Sequence, residues 1–109
     1  MATVYKVLGQ SNPAATTATT LYTVPASTST VVSTIVICNQ TATAATFRIS
    51  VRPAGAAQTA AMYVAYDVTV GASDSTALTL GITMATTDVL TVYGSTATLS
   101  FTAFGSEIS

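Results

Sequence analysis

The stretch V-V-S-T-I-V-I-C over Val31–Cys38, the polar N-Q-T-A-T-A-A of Asn39–Ala45, and T-F-R-I-S-V-R-P over Thr46–Pro53 together decide the fold. In an extended chain Val31, Ser33, Ile35 and Ile37 point to one side and Val32, Thr34, Val36 and Cys38 to the other, so both faces of the first segment are largely apolar. A strand of that kind belongs in the interior of a sandwich. The second segment alternates, with Phe47, Ile49 and Val51 on one face and Thr46, Arg48, Ser50 and Arg52 on the other. That pattern suits a sheet with one face on the core and one in solvent or at a contact. Two of the three basic residues thereby share an outward face.

Working outward, Val4–Leu8 reads as a short strand ended by Gly9, and Gln10–Thr20 as a polar arm or long loop with Asn12-Pro13 as a turn signal. Residues 1–20 are therefore set apart, as a short strand and arm, from a β-sandwich domain over 21–109. Leu21–Val24 is a strand stopped by Pro25. Asn39-Gln40-Thr41 matches the N-x-[ST] glycosylation pattern, but with no secretory signal beside it the tripeptide is assigned to the hairpin turn. After Pro53-Ala54-Gly55 breaks the pattern, Met62–Val70 is a long strand with Met62, Val64, Tyr66, Val68 and Val70 inward. Thr76–Ile82 follows with Leu78, Leu80 and Ile82 inward. Val89–Tyr93 is apolar on both faces, and Ala97–Phe104 is the last strand. No tract reads as an amphipathic helix. About eight short strands separated by turn signals predict an all-β, single-domain antiparallel β-sandwich or jelly-roll-like barrel with an extended N-terminal arm.

Composition narrows the function classes. The 109 residues fit one domain, which at this size buries roughly 65% of its unfolded surface. There are 23 Thr and 11 Ser against only seven charged residues: Lys6, Arg48, Arg52, Asp67, Asp74, Asp88 and Glu107. Thr fits pleated, half-buried surfaces, in keeping with strands. A net charge of −1 with three cations lacks the clustered Lys and Arg that phosphate binding needs, so no nucleic-acid partner is expected. The apolar runs fall far short of the 18 or more residues that span a bilayer, so no membrane is expected either. The N-terminus lacks the charged-then-apolar signature of a secretory signal, and a cytoplasmic setting is expected. Cys38, the single cysteine, has no internal disulfide partner and reads as a small buried hydrophobe.

So little charge favours association over mutual repulsion, and flat Thr, Ser and Ala faces suit packing against copies of the same chain. Only Lys6, Pro13, Pro25 and Pro53 are placed to guard exposed strand edges, so the edges are expected to be covered by an arm, by a partner or by closure of the barrel.

The residues offer little chemistry. Without a His there is no His-based triad, Cys-His pair or usual zinc site. The four carboxylates are the remaining candidates, yet Asp74 and Asp88 lie in turns where Asp bonds its own backbone. No D-x-D-x-D-G run gathers ligands for calcium. Tyr5, Tyr22, Tyr63, Tyr66 and Tyr93 are spread over separate strands and are assigned to core or interface packing. Neither an enzyme nor a cofactor or metal is expected.

Several strings resemble those of small virion structural proteins of tailed bacteriophages, among them phages infecting cyanobacteria and other aquatic bacteria. They are K-V-L-G-Q-S at 6–11, L-Y-T-V-P-A at 21–26, I-C-N at 37–39, F-R-I-S-V-R-P-A-G at 47–55, Y-D at 66–67, L-G-I-T at 80–83, D-V-L-T-V-Y at 88–93 and F-G-S-E-I at 104–108. The resemblance runs along nearly the whole chain and brings no catalytic residues with it. It implies a non-enzymatic protein present in many copies in the virion and assembled in the host cytoplasm. The leading expectation is a capsid decoration or cement protein, a homo-oligomer, trimeric at threefold sites, bound to the major capsid protein or another virion protein. Residues 2–20 would be its strap across a neighbour. Lys6, Arg48 and Arg52 would be the partner contacts, the two arginines through carboxylates on the shell. A neck, collar or tail-fibre component is the alternative, as is a receptor- or glycan-binding module that uses the tyrosines.

Overall fold

The computed structural model describes residues 2–109, which form eight strands and two short 3-10 turns, Pro53–Gly55 and Ala60–Met62. The strands are β1 (Thr3–Ser11), β2 (Thr19–Thr23), β3 (Ser29–Asn39), β4 (Ala45–Arg52), β5 (Tyr63–Val70), β6 (Ser75–Met84), β7 (Val89–Gly94) and β8 (Leu99–Ile108). They make two antiparallel sheets of four, ordered β1-β8-β3-β6 and β2-β7-β4-β5. The pairs β4–β5, β3–β6, β2–β7 and β1–β8 nest inside one another. The chain is thus one long hairpin with its tip at the β4–β5 connection, rolled so that successive pairs fall alternately in the two sheets. That is jelly-roll topology. Ala2 and Ser109, beside the β1–β8 pair, exchange backbone bonds of 2.7 and 2.9 Å.

The core lies between the sheets. Phe47 and Phe101 meet edge to face at a centroid distance of 6.1 Å, surrounded by Ile35, Ile37, Ile49, Leu90, Val92 and Leu99, all fully buried. Because side chains alternate along a strand, an inserted residue is what moves a run from one face to the other. In the first sheet Ser33 is extra against β8, and it faces the pair Leu80-Gly81 of β6. Leu8 is extra in β1 at the same level.

These insertions correct the expected facing of three strands. In β3 the buried set is Thr30, Val32, Ile35, Ile37 and Asn39, whereas Val31, Val36 and Cys38 lie half-buried on the outer side. Cys38 is thus not a core residue. In β6 Leu78, Ile82 and Met84 face the core, while Leu80 is turned out beside Gly81, whose φ of +63° favours glycine. In β5 Tyr66 and Asp67 together oppose Arg48, so Ala65, Val68 and Val70 turn inward and Val64 and Tyr66 outward.

At the N-terminal end the strands reach further than expected. β1 runs on through Gln10 and Ser11, paired with Thr102 and Phe101, and β2 already begins at Thr19. Polar side chains are compatible with an edge strand because one side of its ladder and one of its faces meet water. The link between them is pinned: the Asn12 amide donates to the carbonyls of Ala97 and Leu99 at 3.0 and 2.6 Å, and Thr16 N donates to Gly94 O at 2.8 Å.

Asn39 closes one end of the sandwich. It is 2% exposed, and its Nδ2 lies within hydrogen-bond range of three carbonyls, those of Thr43 (2.9 Å), Val70 (3.3 Å) and Gly71 (3.2 Å). Its Oδ1 accepts from Thr41 N at 3.2 Å and from the Thr98 hydroxyl at 3.4 Å. The amide that the N-x-[ST] pattern marks for a sugar is therefore consumed inside the fold. Asn39→Asp would face those carbonyls with a buried charge, at a cost of about 3–5 kcal/mol. Asn39→Ala would strand the same carbonyls and cost about 1–3 kcal/mol. Urea unfolding of the two variants should show this order.

Candidate functional site

The outer face of the second sheet carries a cluster built around Arg48. β4 and β7 set Arg48 opposite Tyr93, and the β5 insertion sets Tyr66 and Asp67 on its other flank. The guanidinium carbon lies 4.2 Å from the Tyr66 ring centroid and 4.5 Å from that of Tyr93, a cation held between two aromatic faces. Asp67 receives it bidentately, Nε to Oδ1 at 2.7 Å and Nη2 to Oδ2 at 3.3 Å. These bonds, more than any other influence, raise the pKa of Arg48 further above its ordinary value. Asp67 has φ of +50°, the left-handed region that Asp adopts more readily than most residues with a side chain. Tyr63 meets Tyr66 edge to face at 4.9 Å.

One wall beside this cluster is a loop fixed from below. Arg52 donates to the carbonyls of Ala56 and Gly55 at 2.9 and 3.0 Å. Asp88 accepts from Ala54 N and Ala85 N, each at 2.9 Å, tying that loop to the β6–β7 turn. The Ser50 hydroxyl donates to Gln58 Oε1 at 2.6 Å, and Gln58 Nε2 donates to Thr59 O at 2.9 Å. A cleft of about 440 Å³ opens between this wall and β5, lined by Gln58, Thr59, Ala60, Tyr63 and Tyr66. Across from Ser50, the Thr91 hydroxyl is buried with no hydrogen-bond partner among the described residues.

The three cations expected at a partner contact are thus engaged within the chain. Arg48 pairs with Asp67, and Arg52 braces a loop. Lys6 reaches Glu107 at 3.2 Å from the strand row opposite Tyr5 and Val7. Glu107 in turn accepts the Tyr22 hydroxyl proton at 2.5 Å, so the 2.8 Å contact between Tyr22 and Thr30 has Thr30 as donor. The structure does not bring Lys6 together with the two arginines, which belong to the other sheet.

In the sequence the tyrosines are assigned to packing, with glycan binding only as an alternative, because they lie on separate strands; β5 and β7 flank β4, and three of the five gather there. The doublet Tyr66-Asp67 opposite an arginine in an alternating strand was the available signal. Tyr5 stands on the outer face of the first sheet, 84% exposed, with Val7, Phe104 and Leu80 near half exposure on the same face. The charged residues of that sheet, Lys6 and Glu107, occupy the alternate row. Among the described residues no group of three or more His, Cys, Asp or Glu is placed to hold a metal ion, and no helix is long and apolar enough to cross a membrane.

The Tyr22–Glu107 pair contributes to stability at both ends of the pH range. The Tyr22 hydroxyl, helped by Lys6 and opposed by burial, holds the Glu107 carboxyl below its ordinary pKa. Its contribution is full above the unfolded value near 4.3 and is lost as pH falls through the lower folded value. Burial first, then Glu107, pushes Tyr22 up to about 12 from 10.0. That contribution is full below pH 10.0 and is lost as pH rises through about 12. Glu107→Gln should flatten the acid limb of urea midpoint against pH, and Tyr22→Phe both limbs, since its hydroxyl is the main cause of the lowered Glu107 value. Comparison with protein-family models, with curated proteins and with solved structures finds no match for this chain.

Proposed function

We propose that the protein is a non-enzymatic structural component of a tailed-phage virion, a capsid decoration protein that associates with copies of itself and with the head shell. The observation that carries this reading is the outer face of the first sheet, where Tyr5, Val7, Phe104 and Leu80 are exposed and Lys6, held by Glu107, is the one charged residue at the margin of the hollow among them. Isolated exposed apolar side chains are ordinary, but a contiguous patch rimmed by Ser and Thr is characteristic of a contact. Lys6, Val31, Ser33 and Ser106 continue it around a hollow of about 510 Å³. The body measures 45 × 27 × 19 Å. Its broad side is large enough for the roughly 800 Å² per partner of a standard interface.

The string resemblance to phage particle proteins supports the choice of assembly. The jelly roll is compatible with it, although that fold also serves lectins and enzymes and does not choose between them. With Lys6 and Arg48 in ion pairs and Arg52 bound to loop carbonyls, the contact works through aromatic and aliphatic burial, and the patch joins Lys6, Arg48 and Arg52 as a surface at which to look for partners.

Light scattering of the purified chain should show an oligomer, a trimer in this reading. Sedimentation with undecorated phage heads should show saturable binding. Tyr5→Ser combined with Phe104→Ser should give a monomer that binds heads about tenfold more weakly or worse, since losing a central aromatic anchor removes 2 kcal/mol or more in a typical hot spot. An intact chain that stays monomeric and leaves the heads bare would overturn the reading.

A further inference from the structure

We infer that the cleft beside Tyr63 and Tyr66 is a carbohydrate site that takes a neutral pyranose ring of a glycan, on the sheet opposite the proposed assembly face. A pyranose presents a flat C–H surface edged with hydroxyls, and it is bound by an exposed aromatic ring flanked by a few fixed polar groups. Arg48 covers one face of Tyr66, and 56% of that residue remains exposed. Tyr63, at an interplanar angle of 80°, makes a corner with it. Gln58 and Thr59 form the polar edge of the same cleft, and Gln58 is already oriented by Ser50.

Two further observations belong to a binding site more than to a packed surface. The rings are held before any ligand arrives, Tyr66 by the guanidinium and Tyr63 by Tyr66. Such preorganisation lowers the ordering cost of binding. The inserted pair Tyr66-Asp67 also turns Tyr66 out of the core-facing set, and bulges are over-represented next to functional sites.

The charge balance selects the ligand class. Asp67 neutralises Arg48, so nothing in the cluster draws a phosphate or an acidic sugar, and the Asp67 carboxylate is not free to take a cation. An added peptide strand is disfavoured at this edge because β5 breaks register twice, around Arg48 and again between Ile49 and Ser50.

Saturation-transfer NMR with cellotriose, maltotriose and triacetylchitotriose tests the inference on the intact chain, with hexaproline as the peptide probe. Transfer to the C–H protons of at least one neutral trisaccharide is expected. Tyr66→Ala should weaken binding about tenfold, as loss of one stacking contact implies. Gln58→Ala should weaken it less, and Tyr5→Ser, on the other sheet, should leave it unchanged. An unaltered thermal melt for Tyr66→Ala will show that lost binding is not lost folding. No transfer to any of the three sugars at millimolar concentration, transfer unaffected by both cleft variants, or binding of hexaproline alone would overturn the inference. None of these results bears on the head-binding assay, which reads the opposite face.

Discussion

The register shifts are the constraint that decides which residues of β3, β5 and β6 reach the outer surfaces. A strand has no means of rotating a single side chain to its other face, so every change of facing requires an extra residue and a local break in the ladder. Ser33, set against Leu80-Gly81, turns Leu80 outward and returns Ile35 and Ile37 to the core. Tyr66-Asp67 does the same on the second sheet, releasing Tyr66 from the core and bringing a carboxylate to Arg48. Without these insertions Leu80 and Tyr66 would face the core, whereas Tyr5 and Phe104 face outward by plain alternation in β1 and β8.

Scarcity of charge gives the second organising condition. In a chain with seven formally charged residues, Asp67 and Glu107 meet cations and Asp74 and Asp88 accept from backbone amides. Charge is therefore spent largely on contacts within the chain, and much of the remaining outer surface is Thr, Ser, Ala, Tyr and Val. The protein meets its surroundings through area and shape, with little long-range attraction or repulsion to steer it. Such surfaces depend on geometric fit, which is why the fixed backbone around Asn39, Arg52 and Asp88 matters beyond stability.

The division into eight strands was legible because breaks such as Asn12-Pro13, Pro25, Asn39–Ala45, Pro53-Ala54-Gly55 and Gly71–Ser75 each carry turn chemistry. The sandwich followed from the double-sided apolar run at Val31–Cys38. The order of strands was not legible, since pairing such as β1 with β8 joins residues about a hundred positions apart and leaves no local trace. Facing was correct for β4, a regularly alternating strand, and failed in β3, β5 and β6, where an inserted residue looks like any other. The cluster around Arg48 was missed for both reasons together. Its members come from three strands whose adjacency is a tertiary fact, and Tyr66 counts as inward under strict alternation.

The bonded termini give the molecule a mechanical asymmetry. Ala2 and Ser109 sit side by side at one corner of an antiparallel pair, so tension applied between the two ends opens β1 from β8 one hydrogen bond after another, as a zipper opens. Tension that enters through the broad faces has no such weak line, because it is spread over many side-chain contacts and whole ladders at once. The same domain is compliant when pulled by its ends and stiff when clamped by its sheets, and a tether joined to either end leaves from the same corner.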